Sequence, residues 1–81
     1  MLQVEYRGNI AVVDVRERIN RGEHPKQEIV GFVNDAKPGT IIELHLPHRA
    51  DPLVQALKSV GISAIMNEMG PSHYRVMCVK I

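Results

Sequence analysis

The chain has one cysteine, Cys78, so it can form no internal disulfide and offers no paired thiols for zinc binding or dithiol redox chemistry. Tryptophan is absent. Tyr6, Tyr74 and Phe32 are the whole aromatic complement, too few for the stacking platform on which single-stranded nucleic acids are read. A formal net charge of +1 is also too small for the broad positive field of a dedicated nucleic-acid binder. No apolar run approaches the roughly 18 to 20 residues that span a bilayer. Met1-Leu2-Gln3-Val4-Glu5 lacks the basic start and the apolar block of a secretion signal. These absences predict a soluble, cytoplasmic protein with neither membrane nor nucleic-acid partners. The 81 residues suffice for one small core, and no repeat or linker divides them, so a single domain over 1–81 is expected.

What is present is a regular alternation of strand and helix patterns. Leu2 to Tyr6 alternates apolar and polar residues, Gly8-Asn9 interrupts, and Ile10 to Val15 is almost continuously apolar, as in a strand covered on both sides. Arg18 to Glu23 is polar apart from Ile19 and reads as a loop. Pro25, with its φ preset and its missing N–H harmless at a helix start, opens a helix for which His24 is the cap or its neighbour. Ile29, Val30, Phe32, Val33 and Ala36 then form one apolar stripe, ended by Lys37-Pro38-Gly39.

Thr40 to Leu46 returns to period two, with Ile42, Leu44 and Leu46 on one face and Ile41, Glu43 and His45 on the other. Asp51 as cap and Pro52 as first helical residue start a second helix with Leu53, Ala56, Leu57 and Val60 inward and Gly61 as its stop. Ile62 to Met69 and His73 to Ile81 read as a closing hairpin around Gly70-Pro71-Ser72, its last strand apolar enough on both faces to lie inside the sheet. The result is an α+β, two-layer βαβαββ sandwich, a mixed sheet with both helices on one face and a further short strand at the N-terminus. If the first main strand runs upward, so do the next two. The loops carrying His24, His48 and the hairpin turn at His73 then share one edge, where ligands bind in open α/β sheets. Arg16, Glu17, Pro25, Lys26, Arg49 and Asp51 belong to the same rim.

Asp14-Val15-Arg16-Glu17, His24-Pro25, Pro38-Gly39, His48 with Asp51-Pro52-Leu53, and Gly70-Pro71 followed by Tyr74-Arg75-Val76 occur in the order and spacing of the TusA/SirA-like superfamily. From Val12 onward the chain resembles a branch of that superfamily lacking its cysteine. The resemblance implies a mixed four-stranded sheet of order 1-2-4-3. Members relay sulfur as a persulfide on the cysteine of a Cys-Pro-x-Pro motif at the first helix start. Here His24-Pro25-Lys26-Gln27 stands in that place, imidazole carries no persulfide, and the second proline is missing. The resemblance therefore implies a non-catalytic module for protein or small-ligand interaction, ancillary to sulfur or redox metabolism, rather than a sulfur relay. Cys78, in the closing strand, is expected to be buried and inert.

The rim admits more than one chemistry. Arg16, Lys26 and Arg49 beside two helix starts suit a small anion, and a protein partner fits the same surface. His24, His48 and His73 suit a metal ion, or an enzyme using the rim histidines, although no two histidines share a helix face at ligand spacing and no nucleophile or cofactor motif accompanies them. Ile41, Glu43 and His45, on the strand face away from the helices, leave a monomer or a weak homodimer open.

Overall fold

The computed structural model describes residues 2–80, so the expected strand end at Ile81 lies outside the described residues. The elements are β1 (Val4–Arg7), β2 (Ile10–Asp14), α1 (Arg16–Asn20), α2 (Lys26–Asp35), β3 (Ile41–Leu46), α3 (Asp51–Ser59), β4 (Ser63–Gly70) and β5 (His73–Val79). They form a small α+β fold with a five-stranded mixed sheet of order β1-β2-β3-β5-β4. The further N-terminal strand joins the sheet, so the expected four-stranded sheet is a five-stranded one, and the expected two helices are three among the described residues. β1 is a full edge partner of β2, paired from Val4↔Val13 to Arg7↔Ile10. Its hairpin turns at Gly8, whose φ of +63° suits the first central position of a two-residue turn.

The third helix is α1, in a stretch expected as loop. A single turn forms there because the Ile19 amide donates to the Val15 carbonyl (3.0 Å), bringing the one apolar side chain of the segment onto the core. Glu17 and Arg21, four apart, pair across the turn at 3.2 Å. Polarity hid this element, since a helix with one anchoring residue has no stripe to read.

β2 and β3 are parallel, whereas β5 runs antiparallel to both β3 and β4. β2, β3 and β4 therefore end at a common edge of the sheet. The helices cover the sheet face bearing Ala11, Val13, Ile42, Leu44, Val76 and Cys78, each fully buried, and add Ile29, Val33, Leu53, Val54 and Leu57 to the same cluster. In α3 the inward set differs from the sequence reading: Val54 is buried while Val60 is 49% exposed. The helix ends on a Schellman turn, the Gly61 amide donating to the Lys58 carbonyl and the Ile62 amide to that of Leu57, with Gly61 at φ +84°. Buried Ile62 against Leu57 supplies the apolar contact of that motif, and Val60, the C-cap, is turned outward.

α2 starts one residue later than expected and α3 one residue earlier. Pro25 is the N-cap of α2 and Ala50 that of α3, and neither makes a side-chain cap. Asp51 sits in the first turn and pairs with Arg49 at 3.1 Å rather than capping. His24 precedes the cap. Among the described residues no helix is long and apolar enough to cross a membrane.

Candidate functional site

Two regions near the strand-end edge concentrate the polar chemistry, one on each side of the sheet. On the helix side, a groove of about 260 Å³ opens between the starts of α2 and α3. Ile19, Ile29, Leu46 and Leu53 form its apolar floor, and His24, Lys26, His48 and Arg49 stand on its rim together with Glu23. Pro25 and Pro52 shape its two sides. Each rim residue is placed by the backbone: β3 ends at Leu46, so His48 and Arg49 fall in the connection to α3, while Pro25 sets the direction in which the chain enters α2. His48 is exposed, and its Nδ1 lies 2.8 Å from the Arg49 carbonyl oxygen, to which it donates.

Five of the expected rim residues, His24, Pro25, Lys26, His48 and Arg49, therefore line one groove, and three do not. Arg16 is held by Asp14, with Nη2 at 2.7 Å from Oδ2, and this guanidinium keeps the Asp14 carboxyl below the usual carboxylate range. Glu17 faces Arg21 in a larger polar hollow of about 470 Å³ beside Gln3, Asp14 and Arg18. The charges of that hollow satisfy one another, since Arg21 also meets Glu23 (2.9 Å) and Arg18 meets Glu23 (2.8 Å) and Glu28 (2.7 Å). Asp51 neutralises Arg49 from outside the groove.

On the open side of the sheet, Glu43, His45 and His73 form a hydrogen-bonded chain. His45 Nε2 lies 2.8 Å from Glu43 Oε2, and His45 Nδ1 lies 2.8 Å from His73 Nε2. The glutamate and the histidine are only 24% and 17% exposed at their side chains, so a carboxylate inside a sheet of apolar neighbours fixes the ring. A carboxylate is an acceptor, which puts the His45 proton on Nε2 and leaves Nδ1 to accept from His73. Partial burial, followed by the Arg16 guanidinium and His45, lowers the pKa of His73 from its ordinary value. Arg75 lies directly across from His45, and its Nε is buried without a hydrogen-bond partner.

The expected metal set of His24, His48 and His73 is not assembled. His73 is bonded to His45 instead, and among the described residues no group of three His, Cys, Asp or Glu side chains could hold a metal ion. Sequence reading put Glu43 and His45 on one strand face but did not join them to His73. The joining needs the β3–β5 register, in which His45 opposes Arg75 and so has His73 as its diagonal neighbour. Cys78 is fully buried on the helix-covered face, and burial pushes its thiol up to about 12.

No family model matches the chain, and no curated protein matches it in sequence. The geometry of the two regions is therefore what a functional reading rests on.

Proposed function

We propose that the chain is a non-catalytic, TusA-like recognition module, and that the groove between α2 and α3 takes a small organic anion with an apolar body. The observation that carries this reading is the pairing of an apolar floor with a polar rim, Lys26 with His24 and His48 above Ile29, Leu46 and Leu53, where Glu23 is held by Arg18 and Arg21 and Arg49 by Asp51. An apolar cleft with a few convergent polar groups is the usual form of a small-molecule site. The first amides of α2 lie at the same rim and favour negative charge. A sulfur-relay role lacks a carrier: His24 occupies the position of the reactive cysteine in the resemblance, and the chain's one thiol is buried with its ionisation suppressed.

Amide shift mapping with inorganic phosphate and with a series of short-chain carboxylates tests the reading. Lengthening the chain of the carboxylate should tighten binding, with the perturbed amides around Lys26, His48 and Leu53. His24→Ala and Lys26→Gln should each weaken binding while leaving stability within about 0.5 kcal/mol of the parent, because both residues are exposed and neither caps a helix. Absence of any perturbation around His24 and His48, or binding indifferent to both substitutions, would remove the groove as a ligand site.

A further inference from the structure

We propose that His45 and His73, oriented by Glu43, form a binding site for a divalent d-block cation such as zinc, nickel or copper on the open face of the sheet. This site is independent of the groove, which lies on the other side. Two observations support it. Facing nitrogens of two rings from adjacent strands stand 2.8 Å apart, with ring centroids 5.1 Å apart. Two imidazole nitrogens bound at 2.0 to 2.1 Å to one ion lie about 2.9 Å apart at a right angle and about 3.4 Å at a tetrahedral one. A few tenths of an ångström of opening and a ring rotation are enough to admit an ion, and both rings reside on strand residues, His45 in β3 and His73 at the start of β5.

The second observation is the carboxylate behind the first ring. Glu43 bonds the nitrogen of His45 that faces away from His73, which is the carboxylate–histidine arrangement that fixes a ligating tautomer and strengthens the opposite nitrogen as a donor. The proton now lying between the rings moves to His73 Nδ1 when Nε2 takes the ion, so neutral rings bind without net proton release. Two imidazoles leave further coordination positions to water, an open site of moderate affinity rather than a closed structural one. Borderline nitrogen donors select the later divalent ions over calcium and magnesium.

Zinc sulfate titrated by calorimetry and copper sulfate read by electron paramagnetic resonance test this directly on the full chain. Saturable binding is expected at one ion per chain, with copper hyperfine structure from two nitrogens. His73→Gln, at the turn end of β5, should abolish it with the fold retained by circular dichroism, and His45→Gln should do the same. Glu43→Gln should weaken it by roughly 10- to 100-fold, the range for loss of an orienting carboxylate. His24→Ala and His48→Ala should leave it unchanged. Binding that disappears with His24 or His48 instead, a nitrogen count of one, or no saturation up to about 1 mM metal would overturn the proposal. If His45→Gln unfolds, the nitrogen count and the His73→Gln variant still decide it.

Discussion

Leu44 and its neighbours Glu43 and His45 share one strand, yet they inhabit two different solvents. On the helix-covered face of β3, Ile42, Leu44 and Leu46 are essentially without solvent contact, and no buried polar or charged residue occurs among the described residues. On the opposite face Ile41, Glu43 and His45 are half-buried, and the carboxylate and imidazole there are kept by hydrogen bonds to each other and to His73. The helices supply the difference. A strand turns alternate side chains to opposite faces, so whichever face α2 and α3 cover becomes core, and the other is free to carry chemistry. The same division runs through β5, where Cys78 is sealed and Met77 and Arg75 are not.

The largest effect that could break this comparison is on stability. Leu44→Ala is expected to cost about 3 kcal/mol in a urea melt, as fully buried leucines do when truncated. Ile41→Ala, three residues away on the other face, should cost clearly less. Equal losses would mean that something covers the open face in solution.

A smaller effect concerns charge pairing, which also separates the two sides. Arg16 and Arg49 reach carboxylates two residues away along the chain, whereas Arg18 reaches Glu28 ten residues on, tying α1 to the start of α2. Arg18, bonded to both, holds Glu28 down at about 2 and lowers Glu23 as well, with Arg21 adding to the latter. Both carboxylates therefore titrate lower in the folded chain than in the unfolded one. Their contribution to stability is present above the ordinary glutamate value and fades as pH falls through about 2. Both are surface pairs, so the loss should be modest and weakened by salt. In Arg18→Gln the Glu28 carboxyl, followed by carbon-detected titration, should return toward 4.5, and the acid side of the stability profile should flatten. An unchanged midpoint would show that Arg18 is not its partner.

The smallest effect is expected at Ile65, which is 65% exposed on the open side of edge strand β4. Ile65→Ser should change stability by no more than about 0.5 kcal/mol. A loss above 1 kcal/mol that depends on protein concentration would identify an association through this face.

Most of the element pattern was legible because it depends on local periodicity. Ile29 and Val33 in α2, the alternation of β3, and the proline and glycine punctuation around α2 and α3 each state their structure within a few residues. The misses have physical causes. α1 is polar except for Ile19, and Val60 was read as inward because helical spacing alone does not register that a Schellman turn ends the helix there. At α3, Asp51 lies inside the first turn, where its carboxylate meets Arg49 rather than capping the helix. Of the candidate rim, the sequence pointed to the five residues that line the groove but could not separate them from Arg16, Glu17 and Asp51, whose charges are consumed by near neighbours.

By itself the sequence determined that a small α+β fold would form, that helices would follow the segments around Pro25 and Pro52, that its thiol would lie in a strand, and that Glu43 and His45 would point the same way. Only the tertiary structure decided the register between strands and so which residues met across them. Pairing β5 between β3 and β4 with His45 opposite Arg75 is what brings His73 to His45, 28 residues apart in the chain. Periodicity is a property of one segment, but a register is a property of two, fixed when the whole apolar face closes against the helices at once.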